Sequence, residues 1–323
     1  MNRFSILATA RAVPKKVVTN DDLSKIMDTS DAWISRRTGI HERRVATTET
    51  TTSLSADVAK QLLNKSGVNA DELDYVIVAT MSSDYMMPST AAAVQGIIGA
   101  KNAAAFDISA ACSGFAYGVK ILDALLAQKP GAKGILIGGE TMTKYINWAD
   151  RSTAVLFGDG AGGILAANAG NGRIITTDLA TYGDLGSKLT AGHFGYHDPQ
   201  YHQADAEDRF CHQDGRAIYG FAIRKVPKSI RRALKKADMS PDQIKYFVLH
   251  QANARIVKSV SRHLHVPFDK FPISINRYGN TVAASEPMLL SRLVDSGKIK
   301  HGDIIDLTGF GGGLTVGTVI LKF

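Results

Sequence analysis

The chain has only two cysteines, Cys112 and Cys211, among 323 residues. Two thiols make no disulfide framework, so the expected setting is a reducing cytoplasm. No uncharged apolar run reaches bilayer length, since Pro88, Gln95 and nearby glycines break the longest candidate. The opening Met1-Asn2-Arg3-Phe4-Ser5-Ile6 lacks the apolar core and cleavage site of a signal peptide. Low-complexity tracts are absent, and so are the aromatic and Arg-rich motifs that read nucleic acid. The net charge of +8 therefore points to an acidic partner of another kind. What remains is the composition of an ordinary globular protein, 45% hydrophobic and 21% charged. Its length suits one large domain or two fused ones. The 30 glycines gather in short runs, where backbone comes close to something else.

One such close-packed stretch is Ala110-Ala111-Cys112-Ser113-Gly114-Phe115. Ahead of it, residues 104–109 read as a buried strand. Behind it, Phe115, Val119, Leu122, Leu125 and Leu126 fall on one face of a helix over residues 113–128. A cysteine between strand and helix meets the positive end of the helix dipole and unpaired backbone N–H groups. That placement predicts a lowered thiol pKa and a reactive thiolate. The plainer reading is a small buried hydrophobe, as most free cysteines are. The rest of the chain argues against it.

Residues 3–13 read as a first strand ended by Pro14. Two short helices follow, capped near Asn20 and at Thr29 or Ser30, the second closing at Gly39. Residues 53–66 form an amphipathic helix stopped by Gly67, and 71–78 a turn into a buried strand. This last unit recurs: Asp71-Glu72-Leu73-Asp74-Tyr75-Val76-Ile77-Val78 is matched by Asp242-Gln243-Ile244-Lys245-Tyr246-Phe247-Val248-Leu249. Phe106-Asp107-Ile108-Ser109 is echoed by Phe271-Pro272-Ile273-Ser274, and the strand at 134–139 by 303–309. Three echoes in one order predict two similar halves of βαβ character, residues 1–170 and 171–323. Between them, 152–168 and 173–182 read as paired strands and 183–216 as polar loop. Further helices are expected over 217–236, where Pro227 predicts a kink or a late start, and over 252–264 and 283–296.

His250 ends the repeated strand in the second half, where the first half has Ala79, and so projects where strand ends meet. Asn280 lies in a Gly-containing turn, and Gly309-Phe310-Gly311-Gly312-Gly313 can present backbone N–H groups to an oxyanion. Singly, His250 could be a structural histidine and Asn280 an ordinary turn residue. Gly158-Asp159-Gly160-Ala161-Gly162-Gly163 fits the dinucleotide fingerprint but leads into a strand, so no helix is there to hold a pyrophosphate.

Six motifs in order decide between these readings. They are Thr29-Ser30-Asp31-Ala32-Trp33-Ile34, Ala111-Cys112-Ser113-Gly114, the 151–160 run Arg151 to Gly160, His250-Gln251-Ala252-Asn253, Tyr278-Gly279-Asn280-Thr281 and Gly311-Gly312-Gly313. With them the chain resembles, nearly end to end, the β-ketoacyl-acyl-carrier-protein synthase III family of the thiolase-like superfamily. The resemblance implies an α/β fold, a five-layer αβαβα sandwich of two similar halves, acting as a homodimer. It implies a triad of Cys112, His250 and Asn280, with an oxyanion site at the N–H groups of Cys112 and Gly312. The reaction implied is transfer of a short acyl group from CoA to Cys112, then decarboxylative condensation with malonyl-ACP. Acyl-CoA is then a substrate; no cofactor and no metal are expected.

By the same resemblance, Thr29, Trp33, Arg37, Arg151 and Asn253 hold CoA. A Trp face and Arg forks suit a purine and phosphates. Met81, Met142 and Phe157 line the acyl pocket, closed by Met87 of the partner subunit. Arg255, Lys258 and Arg262 form one stripe on a helix and are expected to dock the acidic carrier protein, although exposed charge is commonplace. Departures from the family pattern are Val316 for Trp, Glu286 for an apolar residue, Met87 for Phe and Gly220 for a docking Lys. Rival readings are a related thiolase-superfamily synthase making a secondary metabolite, a cysteine hydrolase using Cys, His and Asn in this order, and a non-catalytic scaffold.

Overall fold

The computed structural model describes residues 3–195 and 208–323. Its first part gives β1 (Ser5–Ala12), β2 (Val17–Thr19), α1 (Asn20–Ser24), α2 (Asp31–Thr38), β3 (Glu42–Arg44) and α3 (Thr51–Ser66). Next come β4 (Tyr75–Ala79), α4 (Thr90–Ile98), β5 (Ala104–Ile108), α5 (Gly114–Leu126), β6 (Lys133–Glu140), α6 (Arg151–Ala154) and β7 (Gly160–Ala167). The remainder supplies β8 (Arg173–Thr181), β9 (Leu189–Thr190), β10 (His212–Gln213), α7 (Gly215–Lys236), β11 (Tyr246–Leu249) and α8 (Ala254–Leu264). Last are α9 (Ile275–Tyr278), α10 (Ser285–Asp295), β12 (Ile304–Gly311) and β13 (Thr315–Lys322).

Two sheets organise these elements, one in the order β1-β7-β6-β4-β5 and one in the order β11-β12-β13-β8. Buried on both faces, β4 reads Tyr-Val-Ile-Val-Ala and pairs in parallel with β5 and β6. Such an unbroken apolar run is what a parallel strand with helices on either side requires. Outside the first sheet, Leu54, Val58 and Leu62 of α3 and Val94 of α4 pack on Val76, Val78, Ile135 and Ile137. Between the sheets, Phe115, Val119 and Leu122 of α5 and Leu289 and Leu293 of α10 meet Ile77 and Leu136 from one side and Val248, Ile305 and Leu307 from the other. Beyond the second sheet, Val226 and Ile230 of α7 and Val257 and Val260 of α8 cover Phe247, Leu249 and Ile320. The result is the αβαβα sandwich. Each large aliphatic side chain enclosed this way contributes about 1.5–3 kcal/mol.

Local chemistry explains the ends of the elements. Thr19, Ser30 and Thr50 cap α1, α2 and α3, and Gly39 and Gly67 close α2 and α3 in the left-handed conformation. The repeated unit folds the same way twice: a single 3₁₀ turn with a capping box, Asn69 with Glu72 and Ser240 with Gln243, leads into β4 and β11. The echo at Phe271-Pro272-Ile273-Ser274, however, forms no strand. Nor do 152–168 and 173–182 pair with each other. β7 joins β1 and β6, while β8 joins β13 in the other sheet. Pro227 does not delay α7, which starts at Gly215 and runs through it with the proline buried. The stretch expected as loop contains β9 and β10, and its residues 196–207 lie outside the described residues. No helix among the described residues is long and apolar enough to cross a membrane.

Candidate active site

β5 hands the chain to a 3₁₀ turn, Ala111–Ser113, that runs straight into α5. Ala111 has φ +45°, a conformation costing an L-residue on the order of 1–3 kcal/mol. The strain aims Cys112 away from the sheet and into a cleft. Opposite lies β12, where a Cβ at Gly311 would stand 2.8 Å from the Cys112 sulfur, so only glycine lets the strand pass. The next backbone N–H, of Gly312, is hydrogen-bonded toward that sulfur. The expected low thiol pKa is not found. Burial, reinforced by Glu286 and Glu140, pushes the Cys112 thiol well above its ordinary value, with the Gly312 N–H pulling the other way. The helix start is present, but desolvation outweighs it.

His250 directly follows β11, its backbone N–H donating to the Thr308 carbonyl at 2.8 Å. Its ring stands edge-on to Phe310, centroids 5.1 Å apart. Burial lowers its pKa to about 3, against a hydrogen bond that the ring donates to the Val282 backbone carbonyl, so the imidazole is neutral at ordinary pH. Asn280 is fixed by backbone bonds to Leu156 and Gly158. Its Oδ1 accepts from the Val282 N–H at 2.9 Å, which orients the amide and leaves the Nδ2 hydrogens for the cleft. Cys112, His250, Asn280, Phe157, Phe310 and Gly311 line one cavity of about 140 Å³. Three residues far apart in the chain are thus brought together by two strand ends and one turn.

A second cavity of about 410 Å³ opens on the other side of Cys112. Met81, Met142 and Phe157 line it, as the sequence led us to expect, together with Cys211, Val282 and Leu189, which it did not. Those three come from a loop, a 3₁₀ turn and the two-residue strand β9, all too short to carry a periodic signal. Met87 is 84% exposed and lies outside this cavity within one chain. The turn carrying Met81 is held by Glu140, which accepts from the Ser82 hydroxyl at 2.5 Å and from the Met81 N–H at 3.2 Å. Burial pushes the Glu140 carboxyl up to about 7.

Toward the surface, the Arg37 and Arg151 guanidiniums lie 4.3 and 5.2 Å from the Trp33 ring centroid. Arg151 also donates to the Asp28 carbonyl at 2.6 Å, and nearby the Thr29 hydroxyl is buried without a partner. Asn253 caps α8, accepting from the Arg255 N–H at 2.8 Å and donating to the Arg37 carbonyl at 3.0 Å. Its side chain is therefore committed to backbone, although it lines the same cavity as the triad. Arg37 and Arg255 share an outer cavity of about 820 Å³ with Arg216, Tyr219 and Gly220. Arg255, Lys258 and Arg262 are exposed along α8, opposite buried Ile256, Val260 and Leu264. Among the described residues, no cluster of three His, Cys, Asp or Glu could hold a metal ion.

Comparison with known proteins bears on what this arrangement does. A family model for 3-oxoacyl-[acyl-carrier-protein] synthase III matches residues 106–183, and one for its C-terminal part matches residues 234–323. The β-ketoacyl-[acyl-carrier-protein] synthase III of Lactobacillus helveticus is 53% identical over 99% of this chain and 98% of its own. The chain belongs to the β-ketoacyl-[acyl-carrier-protein] synthase III family. A synthase III of Levilactobacillus brevis is 49% identical over the same shares. The crystal structure of 3-oxoacyl-[acyl-carrier-protein] synthase III from Aquifex aeolicus VF5 superposes with a TM-score of 0.92 at 39% identity, covering 99% of this chain and 100% of that one. The family resemblance and the thiolase-like fold read from the sequence are both borne out.

Proposed function

We propose that this synthase III primes fatty acid synthesis by acylating Cys112 from a short acyl-CoA and condensing that acyl group with malonyl-ACP. The observation that carries the reading is the single cavity shared by Cys112, His250 and Asn280, with the Gly312 N–H beside the sulfur. Cys112 Sγ attacks the acyl-CoA thioester, and its proton leaves with the CoA sulfur. One thioester replaces another, so the step is nearly balanced. The tetrahedral oxyanion is received by the N–H groups of Cys112 and Gly312. Malonyl-ACP then loses CO₂, and the electron pair of the broken C–C bond becomes an enolate. Its oxygen accepts from the neutral His250 and from Asn280 Nδ2, which donates without titrating. The enolate carbon attacks the acyl carbonyl, and the departing Cys112 thiolate, held in a desolvated site, takes back a proton from solvent.

The remaining assignments follow from position and chemistry. Trp33, Arg37 and Arg151, with Thr29 and Asn253 alongside, take the CoA nucleotide. Arg255, Lys258 and Arg262 meet the acidic carrier. The exposed Tyr85, Met86 and Met87 support a homodimer in which Met87 closes the partner's acyl pocket. A cytoplasmic enzyme without cofactor fits these substrates. The test is intact mass spectrometry with acetyl-CoA, then malonyl-ACP. Wild type should gain one acetyl group on Cys112 and then yield 3-oxoacyl-ACP. His250→Ala and Asn280→Ala should still acylate but condense slowly, by about 3–4 kcal/mol of lost transition-state stabilisation each. Label on Cys211, or hydrolysis without any need for malonyl-ACP, would refute the assignment.

A further inference from the structure

Glu286 stands second in α10, where its carboxyl is wholly enclosed and neither oxygen has a hydrogen-bond partner beyond its own backbone N–H. It lies beneath the nucleophile turn. A Cβ at Gly309 on β12 would come 2.4 Å from Glu286 Oε1, 2.6 Å from the Ser113 Cα and 2.8 Å from the Cys112 carbonyl oxygen. These groups crowd one point, and the missing side chain at Gly309 is what leaves room for them.

Among the described residues, the surroundings offer the carboxyl no counter-charge. On β1, Arg11 pairs with Asp295 at the far end of α10. On β6, Lys133 pairs with Glu72, and Glu140 is another acid, held by Ser82 and Met81. Tyr246 stands at the opposite end of β11, and β7 carries no titratable residue. Asp306 on β12 faces the other side of its sheet, taking the Thr308 hydroxyl, which leads through Thr318 to Ser229 of α7. Across on α5, Lys120 and Asp123 pair with each other, and Tyr117 reaches the Ala180 carbonyl. That leaves the Cys112 turn itself. An ionised carboxylate buried without a partner costs far more than a protonated one, so the group is held as the acid. An acid O–H needs an acceptor, and the Cys112 carbonyl is the oxygen sharing its space.

We propose that Glu286 is a positioning residue for Cys112, its carboxyl O–H donating to the Cys112 carbonyl and bracing the strained Ala111 turn that aims the sulfur. The proposal rests on the reading of Cys112 as the acyl-accepting nucleophile. It also makes the nucleophile sensitive to alkali: ionising Glu286 removes the donor and puts a negative charge beside the forming thiolate.

Acylation by acetyl-CoA and alkylation by iodoacetamide, followed from about pH 7 to about pH 10 in wild type, Glu286→Gln and Glu286→Val, test this. The glutamine keeps a donor and cannot ionise. It should react within about twofold of wild type at neutral pH and gain rate more steeply than wild type as rising pH forms the thiolate. The valine should melt no lower than wild type, because an unpartnered buried polar group is gone, yet acylate about three- to tenfold more slowly. A loss of rate without a loss of stability is what a merely structural residue would not give. Glu286→Val reacting as fast as wild type, or Glu286→Gln following the wild-type pH profile throughout, would overturn the proposal. Iodoacetamide needs no acyl transfer, so its arm reads Glu286 even if acetyl-CoA leaves Cys112 unlabelled, a result that would count against the proposed function instead.

Discussion

The guanidinium of Arg37 lies over the Trp33 ring, 4.3 Å from its centroid. Its carbonyl is held by Asn253, so the platform is tied to the start of α8 and hence to the triad's own half of the cleft. A flat indole flanked by two guanidiniums suits a purine with phosphates. Trp33→Ala should raise KM for acetyl-CoA about tenfold, the scale of one base stacked on an aromatic ring. Alkylation of Cys112 by iodoacetamide should not change. A matching loss in both assays would place Trp33 in the core of the fold rather than in CoA binding.

Arg255 is exposed at the start of α8 and borders the outer cavity with Arg37. Arg255→Glu should weaken use of malonyl-ACP while sparing acylation by acetyl-CoA. Added salt should act the same way, because exposed charge attraction is screened within about 8 Å at physiological ionic strength. Steady-state rates with malonyl-ACP and with malonyl-CoA as extender make the distinction. An equal loss with both would show that Arg255 does not act through the carrier.

Met81 lines the 410 Å³ cavity beside Cys112 that is proposed as the acyl pocket. We expect wild type to prefer starters of two to about four carbons, with about 1–3 kcal/mol available per methylene for discrimination. Met81→Ala should move the optimum to longer esters. Acylation rates across a panel of straight-chain CoA esters read this directly. An unchanged profile in Met81→Ala would mean that other walls set the length.

His250 gives the fold a dependence on acid. Its folded pKa, about 3, lies below the ordinary 6.5, so the unfolded chain binds the extra proton. Its contribution to stability is therefore present above pH 6.5 and is lost as pH falls toward 3. Glu140, raised to about 7 from 4.5, works oppositely: its contribution is present below pH 4.5 and is lost as pH rises through 7. Comparing wild type with His250→Asn cancels the carboxylates. Wild type should lose about 1.5 kcal/mol more than the variant between about pH 6.5 and about pH 5, by urea unfolding. Parallel curves would mean that His250 is more hydrated than its burial indicates.

How much of this was legible in the sequence varied with the kind of signal. The buried face of α5 was plain, because Phe115, Val119 and Leu122 recur at helical spacing and all end in the central layer. The strand at β7 was also readable, but not its neighbours. Gly160 to Ala167 looks the same whether it pairs with β8 or, as it does, with β1 and β6, since pairing is decided across the core. Pro227 signalled a kink or a late start; the late start did not occur, because a buried ring inside a long, well-packed α7 can be accommodated. Cys112, His250 and Asn280 were singled out by motif order, and their convergence in one cavity is a matter of topology. The Cys112 thiol went the other way from expectation, because dipole position is visible in sequence and depth of burial is not. Cys211 and Val282 were missed for the same reason: their place in the cavity beside Cys112 is a fact of packing alone.

The cradle of Cys112 is made late. Its turn belongs to the first sheet's side of the molecule, but Gly311, Gly312 and the second wall of the central layer belong to β12 and to the loop just after it, near the end of the chain. Cys112 therefore leaves the ribosome well before β12, although Met142 and Phe157, which also line its cavity, follow it sooner. Until β12 and β13 add to the sheet, α5 has one apolar side uncovered and the cysteine has no Gly312 N–H. The site is complete only when β12 and the Gly312 N–H stand beside Cys112.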